Sequence, residues 1–181
     1  MEKNNLKELI VDATERRFHR PKDKDDQKAL YSGKRKAHTI KNTLIVGKKK
    51  YIHFLGHTTQ GSVHDLRLLE FDLDNVLQVI FQNITLFLDL GYTGIEKYFK
   101  IMDLIIPIKK PRKSENNPTP ELTKEQKDFN KNMSSERVAV EHVIGTIKRF
   151  KILTDVFRNN GENDENLFIE IIAGVHNLEY K

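Results

Sequence analysis

The chain has 181 residues, of which 38% are hydrophobic and 31% charged, and its formal net charge is +5. This length and composition predict one globular domain with enough apolar residues for a sizeable core. No apolar run approaches the roughly 20 residues of a membrane span, and the opening stretch MEKNNLKELIV lacks the apolar segment of a signal peptide. The sequence therefore argues against membrane-spanning and secreted proteins and predicts a cytoplasmic protein with no membrane partner.

The chain contains no cysteine, which excludes disulfides and thiolate zinc sites and leaves carboxylate and imidazole groups as the strong metal ligands. Its positive charge is clustered in residues 34–36, 48–50, 109–113 and 148–151. Such clusters suit the phosphate backbone of a nucleic acid, because each contact releases condensed counterions. Lysine-rich loops are also common in soluble proteins, so charge alone leaves both interpretations open.

The first third of the chain predicts three strands. Residues 9–11 form a short apolar run that reads as a buried strand, with Asp12 on it or just past it. Residues 16–36 are polar and have no sustained period, which predicts a charged loop or arm. Residues 39–46 and 51–55 are rich in β-branched and aromatic side chains around a Gly-Lys turn, and they predict an antiparallel hairpin.

The middle of the chain predicts helices and then a second strand that ends in an acid. Ser62 is predicted to cap a helix over residues 63–69, with a carboxylate three residues after the cap. A short helix is predicted over residues 72–83. The apolar stretch 84–88 predicts a buried strand that presents Asp89 at its end, as the first strand does with its own acid.

The last part of the chain predicts one more strand, over residues 104–108, followed by two helices. A capping box of Thr123 and Gln126 predicts the start of a long helical region, broken near residues 130–134, that ends near residue 153. An Asn-Asn-Gly turn at 159–161 precedes the final amphipathic helix, over residues 165–180. Its predicted inward-facing residues are Leu167, Ile171, Ile172 and Val175.

The stretch 134–151 has two distinct faces when it is read as a helix at about 100° per residue. Arg137, Glu141 and Lys148 fall on one stripe. The neighbouring stripe is apolar and comprises Val140, Val143, Ile147 and Phe150. The two cations would keep Glu141 ionised and could contact a phosphate. A solvated face with ordinary ion pairs is the other interpretation of the same pattern.

The order of these elements resembles the ribonuclease-H-like fold of the DDE transposases: strand with an acid, hairpin, helix, strand with an acid, helix with an acid. The resemblance implies an α/β fold with a mixed sheet flanked by helices. It also implies that Asp12, Asp89 and Glu141 converge at one edge of that sheet.

Short sequence blocks in the same order make the resemblance more specific. They are DATE at 12–15, GSVHD at 61–65, DLGY at 89–92, IPIKKP at 106–111, FN at 129–130 and RVAVEHVIGTIKRFKIL at 137–153. These blocks are similar to those of the DDE-superfamily endonucleases, the insertion-sequence transposases related to the Harbinger group, and they extend from about residue 9 to the C-terminus. The spacing of Arg137, Glu141 and Lys148 also resembles the signature around the last acid of bacterial insertion-sequence transposases, in which Ser134 would be a tyrosine.

The family implies that Asp12, Asp89 and Glu141 hold two Mg²⁺ or Mn²⁺ ions, and that Arg137 and Lys148 contact DNA phosphate near the cleavage point. The chemistry is consistent, since Mg²⁺ prefers oxygen ligands and accepts a substrate phosphate as a further ligand. Two such ions activate the attacking oxygen and stabilise the leaving one, so no nucleophilic side chain is required.

Asp65 is the competing candidate for the second acid, and His64 beside it is a residue type that binds metals. We prefer Asp89, because it follows a buried strand directly whereas Asp65 has a capping role at a helix start. His64 belongs to the GSVHD block but reads on its chemistry alone as a loop histidine, so we leave it out of the metal ligands.

The resemblance implies a transposase catalytic domain that cleaves and joins DNA at transposon ends and target, working as a homodimer. Two alternatives stay open: a metal-dependent DNA nuclease without strand transfer, and an inactive transposase remnant that binds DNA. Relatives carry an N-terminal helical domain that binds the element's ends, whereas eleven residues precede Asp12 here. We therefore expect residues 1–181 to be a single catalytic domain whose end-binding domain is encoded separately or has been lost.

Overall fold

The computed structural model describes residues 7–73, 83–98, 103–115, 117–159 and 163–180. Within these ranges seven strands form one sheet, in which β2, β3, β1, β6 and β7 lie side by side in that order and β4 and β5 also pair with β3. The strands are β1 (Glu8–Arg17), β2 (Tyr31–Ser32), β3 (Ala37–Gly47), β4 (Ile52–Leu55), β5 (Thr59–Gln60), β6 (Thr85–Phe87) and β7 (Asp103–Ile105).

The sheet is mixed, because its central strand β1 has an antiparallel neighbour on one side and a parallel neighbour on the other. β1 pairs antiparallel with β3 over its length, from Leu9 opposite Gly47 to Arg17 opposite Thr39. On its other side β1 runs parallel to β6, and β6 runs parallel to β7. Parallel pairing matters for the site, since it brings the end of β6 alongside the middle of β1.

Four helices cover the sheet in the described ranges: α1 (Lys24–Leu30), α2 (Asp65–Asp72), α3 (Lys124–Ile147) and α4 (Asp164–Leu178). Successive residues of β1 point to opposite faces. Leu9 and Val11 pack with Leu69 of α2, whereas Ile10 packs with Val140 of α3 and Ile169 of α4. This mixed sheet with helices on both faces confirms the predicted α/β class and is compatible with a ribonuclease-H-like fold. No helix in the described part is long and apolar enough to cross a membrane.

The prediction of a charged loop over residues 16–36 is wrong in part, because this stretch contains helix α1 and the short strand β2. Asp23 caps α1 by accepting hydrogen bonds from the backbone N–H groups of Asp25 and Asp26. No residue of α1 is buried, so the helix has no apolar stripe that a periodicity argument could detect.

Other boundaries also differ from the prediction. His64, not Ser62, is the N-cap of α2, and its side chain accepts from the backbone N–H of Leu66. The first strand, β1, is much longer than the predicted 9–11, and β7 ends at Ile105 rather than at 108. Most of the helix predicted over 72–83 lies outside the described residues, as does most of the turn predicted at 159–161.

The long helix α3 begins with the predicted capping box of Thr123 and Gln126. It continues without the predicted break at 130–134 and ends at Ile147, and Lys151–Leu153 forms a separate 3₁₀ turn. The helix predicted over residues 165–180 is present as α4, but of its predicted inward-facing residues only Ile172 is buried, because the helix carries two apolar stripes and the other one faces solvent. Its buried residues are Ile169, Ile172, Ala173 and His176, and the exposed ones include Leu167, Ile171 and Val175.

Candidate active site

Asp12 and Asp89 are brought together by the pairing of β1 with β6. Ile10 lies opposite Phe87, and continuing this parallel register by two residues brings the two acids side by side. Asp12 Oδ1 accepts a hydrogen bond of 2.8 Å from the backbone N–H of Ala13. Asp89 lies two residues after the end of β6 and caps a 3₁₀ turn by accepting from the backbone N–H of Leu90 at 2.7 Å. Both carboxylates are therefore fixed by backbone contacts, at the point where β6 ends beside the middle of β1.

Arg137 of α3 joins the two aspartates. Its Nη2 lies 3.6 Å from Asp12 Oδ2, and its Nη1 lies 3.1 Å from Asp89 Oδ1. The arginine side chain is only 16% exposed, and its Nε is buried without a hydrogen-bond partner among the described residues. Two carboxylates that converge on one guanidinium form a site that already holds a positive charge between acidic oxygens.

Burial raises the pKa of the Asp12 carboxyl above its ordinary value. The hydrogen bond from Ala13 and the charge of Arg137 lower that pKa, while the negative charges of Asp89 and Asp65 raise it further. The net direction is upward, so the ionised form of Asp12 is held at a free-energy cost. A positive ligand near this carboxylate would reduce the cost.

Asp65, the rival acid, also acts on this cluster. It is the first residue of α2, and its Oδ1 forms a 3.0 Å ion pair with Lys41 Nζ, which also donates to the carbonyl of Val63. Its negative charge contributes to the raised pKa of Asp12. Asp65 therefore lies within electrostatic range of the aspartate pair, with Lys41 as its own counter-charge.

Tyr92, the last residue of the DLGY block, packs in the core at a 3₁₀ turn, as expected of a turn and packing residue, but the surroundings of its hydroxyl could not be predicted from the sequence. Its side chain is 1% exposed in the core on the α2 side, and its hydroxyl has no hydrogen-bond partner in the described ranges. Burial raises the pKa of Tyr92 well above its ordinary value, and the charges of Asp12 and Asp65 raise it further. A buried hydroxyl without a partner next to an acidic cluster is a signal that only the three-dimensional structure provides.

Residues 11–177 match the family model of the DDE superfamily endonucleases. The chain belongs to this family. It is also 36% identical over 175 residues to a probable transposase for insertion sequence element IS702 from Microchaete diplosiphon. That similarity covers 94% of this chain but 56% of the relative, so the chain spans just over half of that protein's length. No solved structure matches the chain.

Glu141, the third acid that the resemblance implies, is placed differently from the two aspartates. It is exposed on α3 and lies at a surface depression with Lys50, Arg149 and Tyr180. The ion pair with Arg137 expected from their spacing does not form, because that guanidinium turns towards β1 and β6. Among the residues the structure describes, no three His, Asp or Glu side chains are grouped closely enough to hold a metal ion.

Lys148, the second cation predicted to contact phosphate, is the C-cap of α3. Its Nζ donates to the backbone carbonyl of Glu15 on β1 at 3.2 Å. Burial lowers the pKa of this lysine, and the positive charge of Arg35 lowers it further, whereas the charges of Glu15 and Asp12 raise it. The helix thus contributes Arg137 to the aspartate pair and Lys148 to a second, more basic region along the same strand.

We predict that Tyr92→Phe raises the free energy of unfolding of the metal- and DNA-free protein by about 1 kcal/mol, because it removes a buried hydroxyl without a partner. Chemical denaturation measures the change. Tyr92→Leu is the matched control and is expected to lower stability, since it leaves a cavity in the same core. A loss of stability in Tyr92→Phe would show that the hydroxyl has a bonding partner after all.

Proposed function

We propose that this chain is the catalytic domain of a DDE transposase, which cleaves DNA at the ends of an insertion element and joins the freed end to target DNA. The observation that carries the proposal is the Asp12–Arg137–Asp89 cluster. Two acids from different family blocks meet at one sheet edge around a cation. Membership of the DDE endonucleases and the similarity to an insertion-sequence transposase support the same reaction class.

We propose that Asp12, Asp89 and Glu141 hold divalent ions, Mg²⁺ or Mn²⁺, and two ions in the full complex. All three are oxygen ligands of the type these ions prefer, so their chemistry fits. Among the described residues Glu141 is not grouped with the two aspartates, so the fit in position is limited to Asp12 and Asp89. The two aspartates also already surround a positive group, and the desolvated Asp12 carboxylate is stabilised by positive charge. When bound, such ions activate the attacking oxygen and stabilise the leaving oxygen.

The residues of the chain have separate roles in this proposal. Arg137 holds the two aspartates at a fixed separation, and we propose that it also contacts DNA phosphate near the cleavage point. The resemblance implies that Lys148 also contacts phosphate near the cleavage point. Its Nζ contacts Glu15, three residues after Asp12 on β1, so we propose a phosphate further along that strand instead. Glu141 lies one helical turn after Arg137, roughly 6 Å along the axis at 1.5 Å per residue.

DNA is the proposed partner, both as transposon ends and as target. A transposase must hold two ends together, and we therefore propose a homodimer in the active complex. The basic residues of the chain would bind the backbone, which carries no sequence information of its own.

A strand-transfer assay tests the function. The substrate carries a preformed 3′-hydroxyl at the element's end, and the assay contains a target duplex and Mg²⁺ or Mn²⁺. Joined products that require the metal are the expected result. Hydrolysis without joining, even with an end-binding domain supplied, would indicate a nuclease instead. DNA binding with no cut in any metal would indicate an inactive remnant.

The cation between the aspartates leads to a prediction for Arg137→Gln. Without the guanidinium, the two carboxylates repel each other, and we expect the free energy of unfolding at neutral pH to fall by about 1–3 kcal/mol. The variant raises the pKa of Asp12 further. The loss of stability caused by the two charged carboxylates is therefore present above that folded-state pKa and is relieved as pH falls through it. Denaturation at several pH values, with and without Mg²⁺, measures the effect.

Mg²⁺ should restore more stability to Arg137→Gln than to the wild type, because the ion replaces the missing charge. Lys131→Gln is the matched control, since it removes an exposed cation from the same helix. A pH-independent loss with no differential response to Mg²⁺ would contradict this account of the cluster.

A further inference from the structure

A second site lies on the same strand as Asp12, towards its C-terminal end. It is an open pocket of about 370 Å³ between β1, the turn from β2 to β3 and the end of α3. Cations dominate its lining, with a single carboxylate among the lining residues. The charged residues that line it are Glu15, Arg16, Arg17, Lys34, Arg35 and Lys148.

The positive charge of this pocket is mostly uncompensated. Glu15 is its one acid, and it already accepts a hydrogen bond from Thr39 Oγ1 and lies 3.6 Å from Arg35 Nε. Arg17 and Lys34 are exposed and form no ion pair with any described residue. Five cations against one acid give the lining residues a charge of about +4, which attracts an anion. Two carboxylates outside the lining offset part of it, Glu165 at Arg16 and Asp12 at Lys148.

Two of the cations are held in place rather than free in solvent. Arg16 is 2% exposed, and its Nη2 donates to Asn42 and to the carbonyl of Glu165, while its Nε and Nη1 have no partner in the described part of the chain. Burial lowers the pKa of Arg16 to about 10, so it stays protonated at neutral pH. Lys148 is anchored through the carbonyl of Glu15. A fixed, partly desolvated positive site binds an anion more strongly than mobile surface lysines do.

The form of the pocket favours a backbone phosphate over a free nucleotide. No aromatic side chain is among the described residues that line it, so a base would have no ring on which to stack. Arginine forks and lysine ammonium groups are the groups that bind phosphate oxygens. The lining of the pocket therefore suits a phosphodiester group that is bound through its charge alone.

The distance from the pocket to the aspartate pair follows from the positions of their residues along β1. Glu15 and Arg17 lie three and five residues after Asp12, which is roughly 10–16 Å at 3.3 Å per residue. For a duplex whose axis lies along β1, that span corresponds to about three to five base-pair steps of 3.4 Å. We propose that this pocket binds a DNA backbone phosphate about three to five base pairs from the cleaved one and so sets the register of the strand on the site. The distance from the cleaved phosphate rests on the proposed function, because that function places cleavage at the aspartate pair. The binding of a phosphate in the pocket does not depend on it.

The test measures DNA affinity as a function of salt for the double variant Arg17→Ala/Lys34→Ala. Both side chains are exposed and unpaired, so folding should be retained, which the thermal unfolding midpoint verifies. With a B-form duplex in 50–200 mM salt, we expect the slope of log K against log salt to fall in magnitude by about 0.9, as for one lost phosphate contact. Lys34→Glu should weaken binding further than Lys34→Ala.

Lys49→Ala is the matched control, because it removes an exposed lysine at the opposite end of β3. The pocket proposal is overturned if the double variant has the wild-type slope, if it changes no more than Lys49→Ala, or if the wild type shows no salt-dependent DNA binding. Measuring binding in EDTA separates this result from the proposed function. Metal-dependent cleavage does not occur there, so the slopes of the wild type and the double variant test the pocket alone, and cleavage is assayed separately with Mg²⁺ or Mn²⁺.

Discussion

Replacing Asp12 with asparagine is expected to reduce metal-dependent DNA nicking by orders of magnitude, roughly 10³-fold or more, because the variant lacks a proposed ligand charge. Asparagine keeps the shape of the side chain and can still accept from the backbone N–H of Ala13. It also removes a desolvated negative charge, which partly offsets the loss of the contact with Arg137. We therefore expect the free energy of unfolding at neutral pH to change by only about 1 kcal/mol.

The pH dependence of stability gives an independent check on Asp12. Its folded-state pKa is raised above the unfolded value, so the folded protein binds this proton more tightly. Stability of the wild type relative to Asp12→Asn should therefore increase as pH falls towards and through the folded-state pKa. Nicking assays and denaturation series on both proteins measure the two effects.

Asp26→Asn is a suitable control, because Asp26 is an exposed residue of α1 and should retain full nicking. Nicking by Asp12→Asn at the wild-type rate would exclude Asp12 from the catalytic set. An unchanged pH profile would instead contradict the burial of its carboxylate.

The positions of the two aspartates could be predicted because local rules determine them. Asp12 continues an apolar run, and Asp89 follows one directly, and parallel neighbours place such residues at one sheet edge. The actual pairing of Ile10 with Phe87 is a long-range register that no local pattern contains. The preference for Asp89 over Asp65 rested on its place after a buried strand, whereas Asp65 begins a helix.

The partners of charged side chains were harder to predict than their positions. Helical spacing places Glu141 next to Arg137, and an isolated helix would favour that ion pair. In the folded chain the guanidinium contacts Asp12 and Asp89 instead, since the sheet presents two partly buried acids that need a counter-charge. The burial of the Tyr92 hydroxyl could not be predicted either, because a buried polar atom without a partner is a property of the packed core.

The error at α4 has a different cause. Leu167 and Ile171 follow a helical period, but so do Ile169, Ile172 and Ala173, and periodicity alone does not say which stripe meets the sheet. The choice depends on the contacts that β4 and α3 offer. Helix α1 shows the converse case, in which a cap determines a helix that has no buried face at all.

The role of Glu141 is the sharpest question that the structure raises. The side chain is exposed and no described residue forms an ion pair with it, so Glu141→Gln should leave the free energy of unfolding within about 0.5 kcal/mol of the wild type. If the carboxylate is the third metal ligand, the same change should lower nicking by orders of magnitude while DNA binding persists.

The experiment compares nicking with Mg²⁺ and Mn²⁺, DNA affinity and stability in Glu141→Gln and in a control, Glu125→Gln. Glu125 is an exposed glutamate near the start of the same helix, so its replacement makes the same chemical change far from the aspartate pair. Both variants are expected to be stable and to bind DNA. Loss of nicking in Glu141→Gln alone would then show that Glu141 acts in the reaction although it lies outside the Asp12–Arg137–Asp89 cluster. Full nicking in Glu141→Gln would show that Glu141 is not the third metal ligand of Asp12 and Asp89. Asp65 would then be the next acid to replace, because its charge acts on Asp12.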